Sequence, residues 1–100
     1  MTPNSLIKFL DHSKKSLELE PNFALGYLNR GNVKFYLKDH NGAISDSNKV
    51  IEIEPNNAMA YYNRALSKAT LGDKNEACED ARKAKELGYN ADKLIEFLCD

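Results

Sequence analysis

Residues 24–57 read ALGYLNRGNVKFYLKDHNGAISDSNKVIEIEPNN, and residues 58–91 follow directly as AMAYYNRALSKATLGDKNEACEDARKAKELGYNA. Laid on one another at a shift of 34, 13 of the 34 positions are identical, where average composition would give roughly two. The identities include Tyr27 with Tyr61, Asn29 with Asn63, Arg30 with Arg64, Lys34 with Lys68, Ala43 with Ala77 and Asp46 with Asp80. The same shift carries Glu18-Leu19-Glu20-Pro21-Asn22 onto Glu52-Ile53-Glu54-Pro55-Asn56. A period of this length marks a chain that builds its core by stacking equivalent units.

Each unit reads as two helices. Apolar and small residues recur at helical spacing in the first segment, at Ala24, Tyr27, Leu28, Gly31 and Phe35, then at Ala58, Tyr61, Tyr62, Ala65 and Ala69. The second segments carry Ala43, Ile44, Val50 and Ile51, then Ala77, Ala81, Ala84 and Leu87. The Pro21-Asn22 and Pro55-Asn56 steps place an Asn where a first helix needs its N-cap. Asp39 and Asp73 stand at the start of the second helices, and Glu76 completes a capping box with Asp73. Gly72 marks a helix end that takes the left-handed conformation.

Composition narrows the function classes. One hundred residues, 42% hydrophobic and 29% charged, make one globular domain with a modest core. A net charge of -1 with interspersed signs lacks the basic face of a nucleic-acid binder and the polybasic patch of a membrane-surface protein. No stretch is long and apolar enough to span a bilayer, and the first residues lack a signal-peptide pattern, so a cytoplasmic location is expected. Cys78 and Cys99 are expected as two reduced thiols acting as small apolar side chains. With His12 and His40 they form no zinc spacing and no nucleophile–base pattern. No glycine-rich phosphate loop is present either, so no enzyme, metal or cofactor is expected.

A helix–turn–helix unit repeating every 34 residues resembles the tetratricopeptide repeat. Its pattern of an aromatic, a small residue, Ala, a second small residue and Pro is met by Tyr27, Gly31, Ala43 and Pro55, with Val50 in the second small slot. In the next unit it is met by Tyr61, Ala65, Ala77 and Ala84, with Tyr89 where the proline would stand. The resemblance implies an all-α fold, an αα-hairpin superhelix of about six helices in a single domain over residues 1–100. Residues 3–20 align with a lone second helix of a partial repeat, 24–57 and 58–91 with full repeats, and 91–99 with a C-terminal capping helix. In that capping helix Asn90 would supply the N-cap, and Leu94, Ile95 and Leu98 would cover the last unit.

The resemblance also implies what such a domain does. Tetratricopeptide arrays line a concave face with their first helices and hold a protein or peptide segment there. Carrying the groove slots across gives Leu25, Leu28, Asn29, Asn32, Phe35 and Tyr36 from the first unit, and Met59, Tyr62, Asn63, Leu66 and Thr70 from the second. The asparagines offer donor and acceptor to a peptide backbone, and the apolar side chains offer pockets. Leu28, Phe35 and Leu66 have a competing use in packing between hairpins. Within the family, a chaperone-tail clamp uses lysine, two asparagines and a further lysine and arginine. Asn32 and Asn63 match its asparagines, but Leu28 takes the first lysine's slot, so chaperone-tail binding is not expected.

Two further expectations follow from the residues. Arg30 and Arg64 occupy a slot that the tetratricopeptide resemblance implies is usually apolar, while Asp46 and Asp80 match in the second helices, which points to an internal ion pair in each unit. Leu6, Phe9 and Leu10 form an apolar N-terminal stripe. It serves either as a makeshift cap or as a surface for self-association or docking onto further repeats, the alternative to a groove-binding module.

Overall fold

The computed structural model describes residues 23–99, which hold five helices: α1 (Ala24–Tyr36), α2 (His40–Ile53), α3 (Ala58–Thr70), α4 (Lys74–Glu86) and α5 (Asp92–Leu98). The helix expected over residues 3–20, with Leu6, Phe9 and Leu10, lies outside the described residues, as does Asn22. Among those described there is no strand, and no helix is long and apolar enough to cross a membrane. The fold is an all-α stack of antiparallel hairpins: α1 packs on α2, α3 on α4, and α2 against α3.

The starts of α2 and α4 follow the acidic caps read from the sequence. Asp39 Oδ1 accepts the Gly42 N–H at 3.0 Å and Asp73 Oδ1 accepts the Glu76 N–H at 3.3 Å. The cap of α3 is Asn57 and not Asn56: its Oδ1 accepts from Ala60 N at 3.1 Å, while its Nδ2 donates to Glu54 Oε1 at 3.0 Å. Asn56 lies one residue too early for its side chain to reach the N3 amide. The N-cap position of α5 is likewise Ala91, one residue after Asn90. Past the ends of α3 and α4 the chain turns through Gly72 and Gly88, with φ of 90° and 103°. The corresponding turn after α1 uses Lys38 at φ 66°, so one hairpin takes a strained left-handed residue where the next has glycine.

Small residues let the hairpin helices approach. A Cβ built on Gly31 would lie 3.2 Å from Asp46 Cβ and 3.5 Å from the Ala43 carbonyl oxygen. In the second hairpin Ala65, Ala77, Ala81 and Ala84 are fully buried. At the junction of α1, α2 and α3, Ala24, Leu28, Val50 and Ala60 form the core cluster, with Tyr27, Ile51 and Ile53 packed against it. Alanines remove little apolar area from water compared with Leu or Val, so the α3–α4 hairpin depends more on polar cross-links.

Those cross-links recur with the repeat. Arg30 donates from Nε to Asp46 Oδ2 at 2.9 Å and from Nη2 to Oδ1 at 2.7 Å. Arg64 donates to Asp80 in the same way, at 2.8 and 2.7 Å. Lys34 and Lys68, one turn further on, approach the same carboxylates at 3.4 and 3.3 Å. Each guanidinium also lies over an aromatic ring, Arg30 on Tyr27 at 5.4 Å and Arg64 on Tyr61 at 5.3 Å. The hydrogen bonds to aspartate hold both arginines above their ordinary pKa, outweighing the opposite effect of burial. Arg64 reaches further, donating from Nη1 to Asn48 of the preceding hairpin at 2.9 Å.

The expectation of two reduced thiols is overturned. Cys78 and Cys99 are joined in a disulfide, with Cα atoms 5.3 Å apart, so neither is the free thiol that the sequence suggested. The reason is positional. Helix α5 folds back on α4 and brings a cysteine 21 residues away beside Cys78, a proximity that no local spacing reveals.

Candidate functional site

Between the first helices of the two hairpins lies a cavity of about 240 Å³. Helix α1 supplies Gly31, Asn32, Phe35 and Tyr36, α2 supplies Ala43 and Ser47, and α3 supplies Tyr62, Asn63, Leu66 and Ser67. Helical periodicity explains the lining. Asn32, Phe35 and Tyr36 share one face of α1 at spacings of three and four, as do Tyr62, Asn63 and Leu66 on α3.

Six of the eleven residues expected in a groove therefore line one cavity: Asn32, Phe35, Tyr36, Tyr62, Asn63 and Leu66. Leu28 does not join them. It is 8% exposed and belongs to the core cluster beside Val50 and Ala60, the packing use that competed for it. Leu25 and Met59 are exposed beyond the cavity, as is Asn29. The Thr70 hydroxyl is turned back onto its own helix, donating to the Leu66 carbonyl at 2.8 Å.

Aromatic contacts brace both walls. Phe35 meets Tyr36 edge-on at 5.9 Å and His40 at 5.1 Å. On the opposite wall Tyr62 packs against Tyr89 at 4.6 Å. Tyr89 stands at the slot where the repeat pattern has proline, and here it supports the wall of the cavity.

Among the described residues the lining is uncharged. Arg30, Lys34, Arg64 and Lys68 are drawn to Asp46 and Asp80. Among the described residues, Asn63 Nδ2 and Ser67 Oγ are buried and have no hydrogen-bond partner. An unpaired buried donor costs about 1–3 kcal/mol, so the cavity carries unused hydrogen-bonding capacity beside the apolar faces of Phe35 and Leu66. Ser47 and Ser67 were not singled out from the sequence. Their signal was a difference between the units: Ser67 replaces Val33 one period earlier, and Ser47 precedes Ala81 one period later. Both serines are buried and both line the same cavity.

Comparison with known proteins agrees with this architecture. Tetratricopeptide-repeat family models match residues 24–57 and residues 48–79. No sequence among curated proteins matches the chain. Among solved structures, the first tetratricopeptide domain of Spaghetti (RPAP3), bound to the HSP90 peptide SRMEEVD, aligns with a TM-score of 0.90 at 23% identity, covering 95% of this chain and 78% of that one. The Arabidopsis OM64 tetratricopeptide domain aligns at 0.87 with 25% identity, over 94% of this chain and 79% of its own. The first such domain of human RPAP3 aligns at 0.84 with 25% identity, over 89% and 72%. With the helix hairpins, the 34-residue period and the family models in agreement, the chain belongs to the tetratricopeptide-repeat family.

Proposed function

We propose that this chain is a non-catalytic protein-interaction module that holds a peptide or helical segment between α1 and α3. The observation carrying this reading is the cavity lined by Asn63 and Ser67, two side chains whose Nδ2 and Oγ have no hydrogen-bond partner among the described residues. Asn63 donates to a carbonyl of the bound segment, and the space between Phe35, Tyr62 and Leu66 takes an adjacent apolar side chain. Leu25, Asn29, Met59 and Thr70 extend the contact along the exposed faces of the same two helices.

The uncharged lining sets the preferred chemistry. A carboxylate entering the cavity would lose water without meeting a free cation among the described residues, so a neutral, apolar residue is the better occupant. The peptide held by the Spaghetti domain supports the general mode of binding. The acidic end of that peptide is not what this cavity suits.

Selection from a random peptide library displayed on phage tests the reading. The expected pool is rich in apolar residues, and its peptides lose affinity at least tenfold against Asn63→Ala or Leu66→Asp, while Glu86→Gln binds as the parent does. Peptides that ignore both groove substitutions, or a pool dominated by acidic C-termini, would overturn it.

A further inference from the structure

The Cys78–Cys99 pair lies away from the cavity and joins the C-cap residue of α5 to α4. Helix α5 begins at Asp92, 34 residues after α3 begins at Ala58, so it sits in the register of a third first helix, yet has only seven residues. So short a helix has little stability of its own. Its first N–H groups receive one side-chain acceptor, Asn90 Oδ1, at 3.3 Å from Asp92 N.

Three contacts to the α5 segment come from one stripe of α4. Lys74, Cys78, Ala81 and Lys85 recur at spacings of four, three and four on one face. Lys74 Nζ lies 5.9 Å from the Phe97 ring centre, Cys78 is bonded to Cys99, and Lys85 Nζ pairs with Asp92 Oδ1 at 2.7 Å. The Lys85–Asp92 pair is exposed and Phe97 is 75% exposed, so both outer contacts are weak. Apart from the disulfide, the firm anchors are Ala91 and Leu98, at 1% and 5% exposure. The disulfide ties the stripe to the C-cap residue of the helix, and both of its cysteines are only half-buried.

We propose that Cys78 and Cys99 form a reversible thiol–disulfide site that latches α5 onto α4 when oxidised and releases it when reduced. A small-molecule disulfide of the glutathione type closes the latch in two exchanges. One cysteine thiolate attacks it, forming a mixed disulfide and expelling one small thiol. The second cysteine then attacks the protein-bound sulfur, forming the Cys78–Cys99 bond and expelling the second thiol. Two protein thiols give up two electrons and two protons, and the small disulfide takes them up as two thiols. A small dithiol reverses the balance.

Hydrogen exchange read by mass spectrometry on the full chain tests the latch. One sample is equilibrated with glutathione disulfide and the other with dithiothreitol, with the two-dalton mass difference recorded for each. The oxidised sample should carry the bond, and reduction should speed exchange in residues 92–98 by about tenfold or more while α1 to α3 keep their protection. Cys99→Ser should show the fast exchange in both conditions. Unchanged exchange in residues 92–98 on reduction would overturn the proposal. So would failure of the bond to form with glutathione disulfide, or an equal loss of protection in all helices, which would make the disulfide a global staple and not a latch.

Discussion

Arg64 grips Asp80 at two points, through Nε at 2.8 Å and Nη2 at 2.7 Å, and so ties α3 to α4, whose buried apolar side chains are all alanines. Replacing Arg64 by Ala leaves a carboxylate with 8% side-chain exposure whose remaining cation among the described residues is Lys68, and also removes the link to Asn48. The expected loss is about 2–3 kcal/mol of folding stability, less than for a fully buried pair because the arginine is partly hydrated. Urea unfolding measures it, and peptide binding well below the melting point should be unchanged. A variant that unfolds with the parent would show that the pair contributes nothing.

Lys38 stands at φ 66° where the next hairpin has Gly72 at 90°. Lys38→Gly removes the Cβ from a left-handed position, offset in part by the greater freedom of glycine in the unfolded chain. A net gain of roughly 0.5–1 kcal/mol is expected. Denaturant midpoints at unchanged slope test this, and a lower midpoint in the variant would refute it.

The start of α4 carries a pH dependence. A hydrogen bond between the two side chains holds the Asp73 carboxyl below its ordinary range and pushes Glu76 above its own. The Asp73 contribution is present above its unfolded pKa and lost as pH falls through its lowered folded value. Glu76 has the opposite sign: its contribution is present below its unfolded pKa and lost as pH rises through its raised folded value. Glu76→Gln keeps a neutral donor at the position, so its melting temperature should match the parent near pH 4 and exceed it increasingly as pH rises from there. A constant difference between the two across pH 4 to 7 would show that no proton is shared.

Ser67 occupies a slot filled by Val33 in the other unit and leaves its hydroxyl unpaired. Ser67→Val should therefore stabilise the free domain by about 1 kcal/mol while weakening any ligand of the cavity, the trade expected where a binding surface is kept polar at the expense of packing. Melting and peptide titration of the same variant decide it. Destabilisation by Ser67→Val would mean that the space is needed by the fold itself.

The repeat made most of the fold legible. A shift of 34 exposed the hairpins, the Asp39 and Asp73 caps and the Arg–Asp pairs, because each rests on residues that recur in both units. What the shift could not show was determined by facing and by chain reversal. Leu28 and Asn32 are one turn apart on α1, yet Leu28 turns into the core while Asn32 lines the cavity. Their spacing can be read from the chain, but not how far the helix is rotated against α2. The Cys78–Cys99 bond depends on α5 folding back over α4, and nothing near either cysteine records that return. Ser47 and Ser67 escaped because a search for identity passes over the positions where the units differ.

If the space between α1 and α3 is the binding surface, an amide chemical-shift map recorded with a library-selected peptide will show it. The largest shifts should fall on Asn32, Phe35, Tyr62, Asn63 and Leu66, with the Asn63 side-chain amide among them, while α4 and α5 stay unmoved. A map centred on α4 and α5, with the Asn63 amide unmoved, would place the binding surface elsewhere and refute the groove reading.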